Sequence, residues 1–355
     1  MTTLTKPRFF FLSVKRNILP ACFCLFTIFL VLFSQSNLTA AKSGLQLWAN
    51  HVLPSLLPFF IATELLSYTN VVTKIGEIFN CCMRPLFNVP GCGAYALIMG
   101  IISGYPVGAK IVTRFYEEGL CTKEEGERLL SFTNNSGPLF IVGTVGISLF
   151  GNTLIGFLLF FTHILAGLTT AFCFRFWKCK KHSSLHNFQK SKPHTKNTSA
   201  TFSNLGEIIS KSIMSSVQTI VMIGGFVVLF SVILSILKQS HILGFGAHIL
   251  QPLFKLFGVS NIQFSSGFLS GILELTNGVQ QIATLPIKNI SFSIILCSFL
   301  LGFGGISVFL QVFSITAKSS LSIKPYLIGK ILQAIFAAIY TCIFIYSFPI
   351  FNLNL

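Results

Sequence analysis

The chain has 355 residues, of which 52% are hydrophobic and only 10% charged, with a formal net charge of +16. Soluble globular domains carry about 25% charged residues, so this composition excludes a soluble fold and describes a polytopic membrane protein. The basic residues sit in short loops between apolar runs, which argues against a nucleic-acid binder and makes the charge a record of topology.

Residues 1–16 are polar and basic (Lys6, Arg8, Lys15, Arg16), and an apolar run follows from Ile18 to Phe33. The small residues at Ala40-Ala41 would suit a signal peptidase, but the length of the run favours retention, giving an N-terminal anchor span and flank over 1–44. A second span is expected over 45–68 despite Pro54 and Pro58, because packed membrane helices tolerate such breaks. Residues 74–90, with Lys74, Glu77, Arg84 and Pro85, are short and mixed and read as a segment lying along the membrane surface.

Residues 92–115 contain Gly100-Ile-Ile-Ser-Gly-Tyr-Pro-Val-Gly-Ala-Lys110, an apolar segment interrupted by glycine and proline. The first arm, from Ala94 to Ile102, falls well short of the ~20 residues a helix needs to cross the hydrocarbon. It reads as a re-entrant hairpin turning at Ser103-Gly104-Tyr105-Pro106, with one continuous kinked span as the alternative. The charged stretch from Arg114 to Arg128 is expected to be a solvated or interfacial helix. Residues 129–150 are long enough to span, but Thr133-Asn-Asn-Ser-Gly-Pro138 breaks them near their start, because proline lacks an N–H and disfavours helix before it. A further span covers 153–176, followed by a basic polar linker over 177–206.

The second half (207–350, before a tail at 351–355) repeats this plan without a gap. Pro85-Leu-Phe87 meets Pro252-Leu-Phe254, Gly100 meets Gly267, Ser103-Gly104 meets Ser270-Gly271, and Gly137 meets Gly304, all 167 residues apart. Spans are expected over 208–237, 290–315 and 325–347, with a second hairpin over 262–285. The counterpart of the polar break is Leu301-Gly-Phe-Gly-Gly-Ile306, which keeps flexibility but not the Asn-Asn-Ser. With a cytoplasmic N-terminus, every one of the 25 lysines and arginines except Lys42, Lys238, Lys255 and Lys288 falls on the inside, as the positive-inside rule favours. The expected fold is an all-α inverted repeat of three spans plus one re-entrant hairpin in each of residues 45–176 and 207–350. With the extra N-terminal span this makes about seven spans.

Paired interruptions in corresponding halves are the sequence pointer to a transporter's binding site. Pro106 suits the first turn of a returning helix whose free N–H groups would favour an anion, and Lys110 would add a positive charge. The first candidate site is therefore Ser103, Gly104, Tyr105, Pro106, Val107, Gly108 and Lys110; close helix packing by the small residues, with Lys110 snorkelling, is the alternative. Asn134, Asn135 and Ser136 offer amides and a hydroxyl beside the break, or serve only to satisfy it. In the second hairpin Glu274, with Asn277, is an ionisable group inside a membrane segment, able to bind a coupling cation or proton or to pair with Lys110. Glu64, His163, Ser307 and Gln311 are weaker candidates. The ten cysteines form no CxxC pair, so neither a metal site nor a disulfide framework follows, and no cofactor is expected. No hydrolase, metalloprotease or P-loop motif points to an enzyme.

Ser103-Gly-Tyr-Pro-Val-Gly-Ala-Lys110 followed by Phe132-Thr-Asn-Asn-Ser-Gly-Pro138 in a duplicated membrane chain resembles the YlbJ/SpoVV family of sporulation integral membrane proteins. That family carries the nucleoside-recognition or gate domain and is distantly similar to concentrative nucleoside transporters. The resemblance spans roughly residues 45–350 and implies a transporter in the mother-cell-derived outer forespore membrane that carries dipicolinic acid toward the spore. Dipicolinate is a small planar dianion, which a helix N-terminus, Lys110 and two Asn amides would suit. The Tyr-Pro-Val-Gly tip departs from the acidic and amide tips of nucleoside carriers, and only Glu274 and Asn277 follow that pattern.

Overall fold

The structure is a computed structural model that describes residues 6–178, 204–285 and 290–347, with side chains from residue 18 onward except that of His51. Almost all of the expected linker, Lys288 and the tail lie outside the described residues. Among the described residues there is no strand. Helices α1 (Lys6–Leu32) and α2 (Ser34–Leu47) meet at a 98° bend. The bend is held by the buried Asn37, whose Nδ2 donates to the Phe29 and Leu30 carbonyls in the last turn of α1.

Helix α2 continues through a π-helical turn, Trp48–Val52, into α3 (Leu53–Ser67). Pro54 supplies no N–H and its ring crowds the turn before it, and a widened turn at that point absorbs both effects. The chain then bends by 85° into α4 (Val71–Phe87), consistent with a surface-lying segment. There follow α5 (Gly93–Ser103), α6 (Val107–Glu117), α7 (Lys123–Thr133), a π-helical segment (Leu139–Leu149) and α8 (Thr153–Phe174). The second half holds α9 (Leu205–Gln239), α10 (Ile242–Leu256), α11 (Ile262–Leu273), α12 (Leu275–Ala283), α13 (Ile290–Phe303), α14 (Gly305–Thr316) and α15 (Lys324–Ser347).

A shift of 167 residues carries α3 into α9, α4 onto α10, α5 onto α11, α6 onto α12, α7 onto α13, the π segment onto α14 and α8 onto α15. Packing obeys the same exchange. The arms α5 and α6 lie against each other as do α11 and α12, so both hairpins form. Helix α7 packs on α15 as α13 does on α8, and α6 packs on α14 as α12 does on the π segment. Span count stays coarser: among the described residues four helices are long and apolar enough to cross a bilayer, or up to six if each bent pair is one span.

Helix α15 is apolar outside and polar inside. Ile331, Ile335, Ile339 and Ile343 are exposed at every fourth position, while Lys330, Gln333 and Thr341 are buried. In water this arrangement would expose an apolar stripe, whereas in lipid the outer face needs no covering.

The charged stretch from Arg114 to Arg128 is not one surface helix, as the sequence suggested. It divides between the end of α6 and the start of α7, which opens on a capping box: the Glu125 N–H donates to Thr122 Oγ1 and the Thr122 N–H donates to Glu125 Oε2. Nor are its charges all wet. Arg84 pairs with Glu125 at 2.7 Å, and Glu127 is fully buried, accepting from Lys178 Nζ, Trp177 Nε1 and the Ser322 N–H. These contacts tie the end of the first repeat to the loop before α15, because a buried carboxylate must be paired.

Candidate functional site

Four chain breaks build the site, each for a local reason. The first tip breaks at Gly104, whose φ of +79° favours glycine, and Pro106 then caps α6. The second lies at residues 134–137, where Asn134 turns extended and Pro138 restarts the helix. In the second hairpin Glu274 has φ −141° and ψ 115° and is at once the end of α11 and the cap of α12. The fourth is Gly304-Gly305, both at positive φ.

Three of these breaks, and helix α14 beyond the fourth, border one cavity of about 170 Å³, smaller than the roughly 300–1,000 Å³ typical of sites for drug-sized ligands. Gly104 and Tyr105 come from the first tip, Ser136 and Gly137 from the first polar break, Glu274 and Thr276 from the second tip, and Ser307 and Gln311 from α14 past the second break. Ser55, Thr144, Ser148 and Gln280 add polar groups among apolar walls. Tyr105 crosses between the repeats: its hydroxyl donates to the Leu301 carbonyl at 2.8 Å. Glu274 faces the cavity but is held by its own helix, Oε1 accepting from the Thr276 N–H and Oε2 from the Asn277 N–H and Nδ2.

Of the residues singled out from sequence, Gly104, Tyr105, Ser136 and Glu274 therefore border the cavity, as do Ser307 and Gln311. The others lie elsewhere. Ser103 is buried against Thr63 Oγ1 at 2.8 Å, and Pro106 and Val107 are buried at the start of α6. Gly108 faces the Thr133 carbonyl, so the end of α7 occupies the space where a free helix N-terminus was expected to meet an anion. Lys110 is not a free cation. Its Nζ lies 2.5 Å from Glu64 Oε1 and donates to Ser215 and Thr219 on α9, which also removes the expected pairing with Glu274.

Asn134 and Asn135 point away from the cavity into a buried network missed in the sequence. Asn134 Nδ2 donates to the Tyr326 hydroxyl at 3.1 Å, and Asn135 Oδ1 accepts from Gln333 Nε2 at 2.8 Å. Lys330, 2% exposed, donates to Gln333 Oε1 at 2.8 Å, to the Asn134 carbonyl at 3.1 Å and to the Tyr105 hydroxyl at 3.4 Å. His163 Nε2 accepts the Ser136 N–H at 3.2 Å. The charge count from sequence puts Lys330 on the cytoplasmic side, near the start of the 325–347 span, and gives it no role in the site. The signal that would have found it is its place inside an apolar run, opposite the isoleucine stripe of α15.

A second, larger cavity of about 780 Å³ adjoins the first, sharing Leu47 and Gln280 with it. It is polar, lined by Gln35, Ser36, Thr39, Ser43, Ser235 and Lys238 among others, and it holds Asn277. Along α2 and α3 the order is vestibule (residues 35–50), central cavity (47–56), then the ion pair at Glu64. Along α9 the same stations run backwards: Ser231 to Gln239, then Ile223 and Val227, then Ser215 and Thr219.

The family profile for Gate, described as nucleoside recognition, matches residues 50–176 and 220–351, one segment for each repeat. The chain belongs to the Gate family. It is also 37% identical over 342 residues to the sporulation integral membrane protein YlbJ of Bacillus subtilis (strain 168), covering 93% of this chain and 83% of that protein. No solved structure matches significantly. This Gate protein is an integral membrane protein whose two repeats bring their interruptions to a common centre.

Proposed function

We propose that this Gate protein is a membrane carrier, not an enzyme, that moves a small organic anion by alternating access, with dipicolinate as the cargo delivered to the forespore during sporulation. The carrying observation is that the chain breaks of both repeats meet at one small cavity, between a polar vestibule at one end and the Lys110–Glu64 pair at the other. Broken helices around a central site are how transporters expose backbone groups to a solute inside lipid. The opposite order of stations along α3 and its counterpart α9 supports an inverted repeat, whose rocking would open one end as it closes the other. Positive-inside counting puts Lys238 and the vestibule on the non-cytoplasmic face, so the ion pair closes the cytoplasmic end. The sporulation relative, 37% identical, supports the setting, for which the outer forespore membrane is the proposed location.

A second reading, a nucleoside carrier, draws on the family description and on Glu274, the cavity's carboxylate. Proteoliposomes separate the two. Labelled dipicolinate should accumulate in vesicles containing the protein, with and without a proton or cation gradient to reveal coupling, and excess uridine should not compete. Uptake of uridine with dipicolinate inert would replace the cargo, and a folded protein that moves neither would remove the carrier reading. A separate check is access: Ser43→Cys and Ser235→Cys should react with a membrane-impermeant thiol reagent from the vestibule side, and Ser215→Cys should not. Equal labelling of all three would end the one-sided arrangement.

A further inference from the structure

The cavity wall nearest the first tip hides a cation. Lys330 Nζ lies 5.0 Å from the centre of the Tyr105 ring, and Tyr105 borders the cavity. Among the described residues Lys330 has no ion-pair partner; its acceptors are the Tyr105 hydroxyl, the Gln333 amide and the Asn134 carbonyl, all neutral. The Asn134 carbonyl stands just past the C-terminus of α7, where the helix dipole offers roughly half a negative charge. An amine with no carboxylate partner therefore stands one ring's thickness behind the wall. Glu274 is the opposing charge on the same cavity, but its carboxylate is turned onto the first N–H groups of α12 and the Asn277 amide, which offset it. Each side chain is thus met by one helix terminus and neutral dipoles, Glu274 at the first turn of α12 and Lys330 at the end of α7, and among the described residues neither has an ion-pair partner.

We propose that Lys330, acting through the Tyr105 wall, is the residue that makes the cavity prefer anionic over neutral solutes of the same shape. This deepens the anion-carrier reading and rests on it. At the effective dielectric of a protein interior, one unit charge about 8 Å away corresponds to roughly 10-fold to 100-fold in affinity for each charge on the solute. Lys330 is thus a specificity-determining residue whose effect scales with solute charge. A lysine that only fills the opening beside α7 would lack that property.

The test compares dipicolinate with its uncharged isostere, pyridine-2,6-dicarboxamide, by equilibrium binding to purified protein in lipid nanodiscs. The wild type should bind the dianion more tightly. Lys330→Gln, which keeps a hydrogen-bond donor but no charge, should weaken dipicolinate binding at least about 10-fold while changing diamide binding by less than about 3-fold. Lys330→Arg should retain the preference. Equal loss of both ligands would show a merely structural lysine and overturn the proposal, and so would an unchanged ratio. Should Lys330→Gln fail to fold, Gln333→Glu places a carboxylate against the ammonium and neutralises it in place, and the ratio should collapse likewise. A folded wild type that binds neither compound removes the anion-carrier reading itself, whereas dipicolinate binding indifferent to Lys330 removes only this inference.

Discussion

Gln333→Leu is expected to destabilise the protein by about 3–5 kcal/mol, and adding Lys330→Met to it should recover the part of that loss due to the stranded ammonium. Gln333 is fully buried, and its amide group joins three elements: it donates to Asn135 Oδ1 and to the His163 carbonyl, and it accepts from Lys330. Leucine at this position would leave the Asn135 oxygen unpaired and strip the ammonium of one of its three acceptors, both in the buried interior. Leaving a buried hydrogen-bonding group without its partner costs about 1–3 kcal/mol, more when that group is charged, whereas replacing both partners by apolar groups of similar shape can be nearly neutral. Thermal unfolding in detergent measures the difference, and a double variant no more stable than the single one would show that the two side chains are not coupled. Uptake of an anion should stay lost in the double variant, because stability returns there without the charge.

Gly100→Ala should prevent accumulation of folded protein, at a cost of at least about 3 kcal/mol. A Cβ at Gly100 would lie 1.8 Å from the Thr133 carbonyl oxygen, and one at Gly108 would lie 2.1 Å from the same atom. The end of α7 is therefore wedged into the fork between the arms of the first hairpin, and both sides of the fork are backbone. No flexible side chain can give way, so the arm must shift and take the Gly104 tip with it. Gly225→Ala is the control: it sits in α9 with nothing within 4 Å of its added Cβ. Fluorescence-detected size exclusion in mild detergent compares the two, and equal yields would mean the wedge is not formed. The same wedge sets the Thr133 carbonyl against Gly108, within the segment where the sequence suggested an anion.

Where the sequence reading succeeded and where it failed follows from range. The hairpin at Gly104-Tyr105-Pro106, the break before Pro138 and the surface bend after Ser67 were all legible, because proline's missing N–H and glycine's freedom act within a turn. Glu274 was found as an ionisable group in an apolar segment. Its hydrogen bonds to Thr276 and Asn277 make it the cap of α12 as well as a cavity group. Lys110 looked like a cavity cation because it follows the tip by about one turn. The side chain instead points to Glu64 on α3 and to α9, a contact that nothing within its own helix encodes. Asn134 and Asn135 were recognised as polar groups at a break, but their partners Tyr326 and Gln333 belong to the other repeat.

By itself, the sequence determined that this is a membrane protein, that it is built twice from one unit, and at which residues each unit breaks. Those properties are fixed by composition and by backbone chemistry that operates over a few residues. Only the tertiary structure decided which exposed groups face the cavity, that Tyr105 crosses to Leu301 of the second repeat, and that Lys330 stands behind it. The physical reason is that a break has no predetermined partner: its unpaired groups are satisfied by whichever element the folded repeats bring within about 3 Å, and for Tyr105 and the Asn134 carbonyl that element lies in the opposite half of the chain.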